Sequence, residues 1–126
     1  MKPKLALVIT GEEDLQNGLL ALLTTIPAVS AVLIAETSNS GLRIMQTHSP
    51  ALVLLDMQVP HDGGTEILIK SRSHWPGIRI IALIEETDQK PTARNLGADL
   101  VLYKGFAASK IISAVEDLLK KTGGER

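Results

Sequence analysis

The sequence predicts an α/β fold in which a parallel sheet lies between two layers of helices. Five short apolar runs recur along the 126 residues, and segments with helical spacing of their apolar residues alternate with them. Strict strand–helix alternation implies a three-layer sandwich with right-handed crossovers. Aromatic residues make up only 2% of a chain that is 44% hydrophobic. We therefore expect a core of Leu, Ile, Val and Ala, which is typical of buried parallel strands.

The predicted elements follow one another without a repeat or an internal linker. The predicted strands span residues 5–9, 29–35, 51–55, 78–84 and 99–103, and the predicted helices span 12–26, 40–48, 65–75, 88–96 and 107–120. Pro27 is predicted to end the first helix. The sequence thus predicts one domain over residues 1–126, with a core at about 4–120. The polar tail 121–126 is either a natural terminus or the start of a linker.

Composition excludes several classes of function. The chain has no cysteine, so disulfides and cysteine-based zinc sites are excluded. Its net charge is −1, which gives no basic footprint for direct binding of nucleic acid. No apolar stretch approaches the roughly 18 residues of a membrane span, and no signal-peptide pattern follows the first residues. We expect a cytoplasmic protein with no membrane contact.

Asp56 is the first candidate functional residue. It follows the apolar run 51–55 and precedes a loop that contains Pro60, Gly63 and Gly64. Open α/β sheets place their chemistry at the carboxyl ends of their strands. We therefore expect the Asp56 carboxylate to face solvent at the rim of the sheet, within reach of an ammonium group. The alternative is that Asp56 only caps a turn.

Three segments resemble bacterial response-regulator receiver domains. Residues 52–66 (LVLLDMQVPHDGGTE) resemble the phosphoacceptor segment, and residues 75–83 (WPGIRIIAL) resemble the fourth strand and its approach. Residues 97–106 (GADLVLYKGF) resemble the fifth strand, which ends in the family's lysine. The match runs from about Lys4 to Leu119. It implies a flavodoxin-like (βα)5 sandwich with strand order 2-1-3-4-5 and a site above strands 1 and 3.

The resemblance implies a role for each matching residue. Asp56 would accept a phosphoryl group from a histidine kinase or a phosphotransfer protein, and Lys104 would pair with the phosphoryl oxygens. A Mg²⁺ ion would be held by Asp56, by the backbone carbonyl of Gln58 and by an acidic residue after strand 1. Such a domain is not an enzyme beyond its own phosphorylation and dephosphorylation. A homodimer through the helix 4–strand 5–helix 5 face is a further expectation.

The chain departs from the family after strand 1. Thr10 and Gly11 stand where the family carries two adjacent acids. Glu12 or Glu13 could supply a carboxylate to Mg²⁺, because oxygen ligands are what this ion requires. Alternatively, these acids and Asp14 only complement the dipole of the first helix. The loss of the acidic pair predicts weakened Mg²⁺ binding.

Two further departures lie beside strands 4 and 5. Ile84 stands where the family carries Thr or Ser, and Val101 stands where it carries an aromatic residue. Both partners of the family's conformational switch are therefore apolar and cannot donate a hydrogen bond. Asp56 and Lys104 are retained, although they would also pair as a residual salt bridge without any phosphate.

Three functions remain open from the sequence. The first is a receiver domain of a two-component phosphorelay that accepts phosphate on Asp56 and so controls the binding of a partner. The second is a phosphate-independent pseudo-receiver that acts as a protein–protein interaction module. A flavodoxin-like enzyme or cofactor carrier is disfavoured, because no phosphate-binding glycine loop is present. His61 is either a phosphoryl-binding donor or a solvated loop histidine. The sequence does not indicate the cognate kinase or the output.

Overall fold

The structure is a computed structural model that describes residues 4–59, 64–85 and 90–123, and in this part strands and helices alternate as predicted. The strands are β1 (Leu5–Ile9), β2 (Ala31–Ala35), β3 (Leu52–Asp56), β4 (Arg79–Ile84) and β5 (Leu100–Tyr103). The helices are α1 (Glu13–Leu23), α2 (Ser38–His48), α3 (Thr65–His74), α4 (Lys90–Asn95) and α5 (Ala108–Gly123). The start of the fourth predicted helix, at residues 88 and 89, lies outside the described residues.

The strands form one parallel sheet in the order β2-β1-β3-β4-β5. This order confirms the predicted flavodoxin-like fold. It places β1 beside β3 and separates β3 from the edge strand β5 by β4 alone. Because all strands are parallel, their carboxyl ends meet at one edge of the sheet, where polar side chains from several loops can converge.

Successive side chains of the strands point to opposite faces, so the core is divided into two layers. On one face, strand residues such as Leu7, Val53 and Ile80 pack with residues of α2, α3 and α4. On the other, residues such as Val8 and Leu54 pack with residues of α1 and α5. The three-layer sandwich is confirmed. Within the described residues, no helix combines the length and the apolar character needed to cross a bilayer.

The prediction that Pro27 ends the first helix is wrong. The helix ends at Leu23. The amides of Thr25 and Ile26 then bond to carbonyls only three residues back, at Leu22 and Leu23. The Thr25 hydroxyl also donates to the Leu22 carbonyl at 2.7 Å. Such local side-chain bonds offer the backbone an alternative to continued helix, so the chain turns before the proline is reached.

The second helix begins two residues earlier than predicted. Thr37 precedes it in extended conformation and accepts a hydrogen bond from the Ser40 backbone N–H, while the Ser40 side chain accepts one from the Thr37 N–H. This reciprocal pair is a capping box, which satisfies two amides that a helix start leaves without intrahelical partners. The cap draws Ser38 into the helix.

Candidate functional site

Four strands bring polar side chains to the carboxyl edge of the sheet. Asp56 ends β3, and one residue follows each of β1, β4 and β5: Thr10, Glu85 and Lys104. The backbone N–H of Lys104 donates to the Ile84 carbonyl at 2.9 Å, which continues the pairing of β4 and β5 one residue beyond the strands. The register of the sheet therefore gathers these side chains around one point.

The Asp56 carboxylate accepts hydrogen bonds from three groups. The Thr10 hydroxyl donates to Oδ2 at 2.6 Å, and the Gln58 backbone N–H donates to Oδ1 at 2.8 Å. The Lys104 ammonium also lies 2.8 Å from Oδ1. This contact confirms the expected meeting of Asp56 and Lys104. The expectation that the carboxylate faces solvent is wrong, because Asp56 is only 1% exposed beneath these donors.

Thr10 is itself fully buried and firmly positioned. Its backbone N–H donates to the Ala35 carbonyl, and its own carbonyl accepts from the Gln16 side chain at 2.7 Å. Its hydroxyl oxygen accepts the Glu12 backbone N–H at 3.2 Å. The sequence marks this position only as the loss of an acid. The hydroxyl reaches Asp56 because β1 pairs with β3, and the sequence alone does not reveal the register of that pairing.

Lys104 contacts three carboxylates. Besides Asp56, its ammonium lies 3.2 Å from Glu12 and 3.4 Å from Glu85, and its side chain is only 12% exposed. Burial alone would lower the pKa of Lys104, but hydrogen bonds and charge attraction from Asp56 and then Glu12 outweigh it. The pKa is therefore raised above the usual lysine value. The ammonium stays protonated at neutral pH and serves as the counter-ion of this cluster.

The two glutamates form the outer part of the cluster. The side chains of Glu12 and Glu85 are about half exposed, at 53% and 50%. Glu12 occupies the N-cap position of α1 without making a side-chain cap bond, while Glu13 and Asp14 lie in the first turn, where acids complement the helix dipole. Glu12 therefore turns into the pocket, but toward the ammonium. Sequence reasoning missed Glu85, whose only signal is that it follows the buried Ile84.

The predicted magnesium ligands do not fit a metal ion in this arrangement. Oδ1 of Asp56 accepts two donors and Oδ2 accepts the Thr10 hydroxyl, while Glu12 pairs with Lys104. Gly11 has no side chain to offer. Among the described residues, no group of three or more His, Cys, Asp or Glu is arranged to hold a metal ion. The Gln58 carbonyl stays a predicted ligand, and its N–H is the group that contacts Asp56.

The two positions of the family's switch are part of the core. Ile84 is fully buried and Val101 is 6% exposed, and both belong to the apolar layer under α2, α3 and α4. They fill space there and have no polar group to offer to the pocket. His61 lies outside the described residues.

Comparison with known proteins identifies the family. The family model for the response regulator receiver domain matches residues 6–116. The chain belongs to this family. A curated relative is the nitrate/nitrite response regulator protein NarL of Escherichia coli (strain K12), which is 27% identical over 116 residues. That alignment covers 90% of this chain and 54% of NarL, so the chain spans about half the length of this relative.

Solved receiver structures share the fold. A CheY-like receiver domain protein from Methanospirillum hungatei JF-1 superposes with a TM-score of 0.89 at 22% identity, covering 99% of this chain and all of that one. A response regulator receiver domain protein from Clostridium thermocellum gives a TM-score of 0.82 at 27% identity, covering 94% and 95%. Receiver domains act in two-component signalling with histidine kinases or phosphotransfer proteins and are generally not classical enzymes. They typically bind Mg²⁺ at an acidic pocket.

Proposed function

We propose that this receiver domain accepts a phosphoryl group on Asp56 from a histidine kinase or a phosphotransfer protein, and that the phosphorylated form controls the binding of a partner. The contact of 2.8 Å between the Lys104 ammonium and the Asp56 carboxylate carries this proposal. It joins a nucleophile at the carboxyl end of β3 to a cation that can meet the incoming phosphate. Receiver domains use this pair of residue types at these positions.

In the proposed reaction, an oxygen of Asp56 forms a new P–O bond while the P–N bond of the donor phosphohistidine breaks. The electron pair of that bond stays on the imidazole nitrogen, which takes up a proton. The chain contributes mainly by positioning and charge compensation, which are the principal sources of catalysis in phosphoryl transfer. Because Asp56 is buried beneath its donors, at least one of these contacts must open first, so we expect slow acceptance.

The Lys104 ammonium must offset the repulsion between the incoming phosphate and the carboxylates of the pocket. A phosphate charge about 4 Å from a carboxylate costs on the order of 4 kcal/mol per charge pair at an effective dielectric constant of about 20. Glu12 and Glu85 add to this repulsion, whereas the ammonium offsets part of it. We infer that Lys104 exchanges a glutamate contact for a phosphoryl oxygen when Asp56 is modified.

The output surface is proposed to be the face formed by α4, β5 and α5. A groove beside β5 and the start of α5 is lined by Val101, Leu102, Tyr103, Gly105, Phe106, Ala107 and Lys110. Tyr103 is among the exposed large apolar side chains of the described residues. Ile84 and Val101 cannot transmit the modification through a hydroxyl and an aromatic ring, so the Lys104 segment next to Tyr103 is the direct route. Homodimerisation through this face stays a prediction.

Intact mass spectrometry tests the proposed function. The protein is incubated with acetyl phosphate and Mg²⁺, and the mass increase of one phosphoryl group is measured. We expect this adduct in the unmodified chain and in Asp117→Ala, a matched control on the exposed side of α5. We expect no adduct in Asp56→Ala. Absence of the adduct from the unmodified chain would contradict phosphoacceptance and favour a pseudo-receiver that binds its partner without phosphate.

A further inference from the structure

Thr10 makes the shortest polar contact of the pocket. Its hydroxyl lies 2.6 Å from Oδ2 of Asp56, and Thr10 is 0% exposed. The oxygen of the same hydroxyl accepts the Glu12 N–H, so its single proton points to the carboxylate. The backbone of Thr10 is held on both sides, by the Ala35 carbonyl and by the Gln16 amide. The donor is therefore fixed in place.

We propose that Thr10 is a positioning residue that holds the Asp56 carboxylate and closes its Oδ2 side to divalent cations, so that Lys104 is the resident cation of the pocket. This inference rests on the proposed function in treating Asp56 as the phosphoacceptor. It goes further by assigning a role to a side chain that stands where the family carries an acid.

The chemistry of the donor set supports this role. Mg²⁺ requires oxygen ligands in near-octahedral arrangement, and it is usually bound through one or two carboxylates. A hydroxyl that donates its proton to Oδ2 occupies the lone pair of that oxygen on the Thr10 side, so a cation cannot bind there without displacing the hydroxyl. Gly11 offers no second carboxylate, and Glu12 already pairs with Lys104. A cation would have to displace a hydrogen bond to a charged group, and such bonds are stronger than neutral ones.

A purely structural role for Thr10 makes a different prediction. If the hydroxyl only ties β1 to β3, its removal lowers stability and leaves the response to Mg²⁺ unchanged. If it closes Oδ2, its removal raises Mg²⁺ affinity whatever happens to stability. The response to the cation therefore separates the two roles.

The test is a Mg²⁺ titration of the ¹⁵N-labelled full chain, observed by NMR through the backbone amides of Gln58 and Lys104. The variants are Thr10→Val, which removes the hydroxyl at constant shape, and Thr10→Ser, which retains a hydroxyl. Thr24→Val is the matched control, because the Thr24 hydroxyl bonds only to the Ala21 carbonyl in α1. The unmodified chain, Thr10→Ser and Thr24→Val should bind Mg²⁺ equally weakly. Thr10→Val should bind at least about 10-fold more tightly.

Equal Mg²⁺ affinity of Thr10→Val and the unmodified chain would overturn the inference. If Thr10→Val fails to fold, the titration of the unmodified chain still tests the inference. Saturation of the Gln58 and Lys104 amide shifts at about 1 mM Mg²⁺ would contradict the inference. Absence of saturation at about 20 mM Mg²⁺ would support it. These titrations need no phosphodonor. Failure of phosphoacceptance, seen by mass spectrometry, is therefore distinguishable from failure of this inference.

Discussion

Two aspartates lie at opposite edges of the sheet and are held by similar partners. Asp56, at the carboxyl edge, accepts from a lysine ammonium, a backbone N–H and a hydroxyl. Asp99, at the amino edge just before β5, accepts from the Arg72 guanidinium at 2.9 Å and from the Ile80 backbone N–H at 2.7 Å. Each carboxylate thus combines a cation with an amide of a neighbouring segment.

The difference lies in the balance of charge. At the carboxyl edge one ammonium contacts three carboxylates, so negative charge is in excess. At the amino edge the Asp99 carboxylate lies near two guanidinium groups, those of Arg72 and Arg79. In the proposed function, the first arrangement exchanges a Lys104–glutamate contact for a phosphoryl oxygen. The second is held by hydrogen bonds within the fold, mainly those of Arg72, although the buried Nε of Arg79 has no hydrogen-bond partner among the described residues.

Arg72 makes most of the hydrogen bonds at the amino edge. Its guanidinium makes five hydrogen bonds: two to the Gly97 carbonyl, one each to the carbonyls of Pro76 and Ile78, and one to Asp99. Gly97 is required beneath it, since its φ is +115° and an added Cβ would lie 2.9 Å from the Arg72 Cγ. One side chain therefore ties α3 to the loops before β4 and β5.

Removal of the Arg72 hydrogen bonds should have the largest effect on the free energy of unfolding. Arg72→Met retains helix propensity and most of the apolar stem but leaves several carbonyls without a donor. We expect the free energy of unfolding to fall by about 3 kcal/mol in urea denaturation. Lys70→Met is the matched control, since the Lys70–Glu66 pair is exposed and should contribute less than about 0.5 kcal/mol. A loss below about 1 kcal/mol for Arg72→Met would refute the structural role of the amino edge.

Removal of the Lys104 ammonium from the pocket should have the second-largest effect on stability. Lys104→Met leaves the buried Asp56 without its ion pair and removes the ammonium that separates it from two glutamates. We expect a loss of about 2 kcal/mol, less than for a fully buried pair because both glutamates are half exposed. Adding Asp56→Asn to this variant should recover at least about 1 kcal/mol. If the double variant is no more stable than the single one, the two side chains are not coupled.

The fold was predictable because its signals are local. Apolar periodicity marks each strand and helix, and their alternation implies the layers. The ends of helices were predicted less accurately where a side chain bonds to nearby backbone, as at Thr25 and Thr37. The Asp56–Lys104 contact was predictable only through resemblance to the family, because nothing in the spacing of 48 positions between them shows that β3 and β5 lie on either side of β4 in one sheet.

The remaining contacts of the site depend on register. The Thr10–Asp56 bond joins residues 46 positions apart, and it exists because β1 and β3 pair so that both end at the same level. The role of Arg72 is harder still to foresee, since four of its five hydrogen bonds go to backbone carbonyls, which carry no sequence signal. Burial of Asp56 also escaped prediction, because it results from three donors that come from three different segments.

Replacing each aspartate by asparagine tests whether the two edges differ in their balance of charge. Asp99→Asn keeps an acceptor for the Ile80 N–H but removes the charge that faces two arginines, and we expect a loss of about 1 kcal/mol. Asp56→Asn removes one negative charge from an acidic cluster and keeps an acceptor for the Gln58 N–H. We expect a change within about 0.5 kcal/mol, together with loss of phosphoacceptance. Equal destabilisation by both variants, measured in urea, would mean that charge excess does not distinguish the edges.

The smallest expected effect is that the stabilising contribution of Lys104, at the carboxyl edge, decreases at alkaline pH. Because the pKa of Lys104 is raised in the folded protein, the folded state keeps this proton longer than the unfolded state does. Its stabilising contribution is complete below the unfolded lysine pKa, about 10.4, and is lost as the pH rises through the folded value. The difference in stability between the unmodified chain and Lys104→Met should therefore be constant from pH 8 to 10. It should narrow by a few tenths of a kcal/mol, roughly, toward pH 11.

The amino edge supplies the control for this measurement. Arginine does not deprotonate in proteins over this range, so the difference between the unmodified chain and Arg72→Met should stay constant from pH 8 to 11. Comparing differences between variants cancels every pH-dependent contribution that all the chains share. A narrowing of the Arg72→Met difference as large as that of Lys104→Met would show that alkaline pH weakens the fold as a whole. A narrowing confined to Lys104→Met would mean that the pH dependence arises from the ammonium group in the pocket.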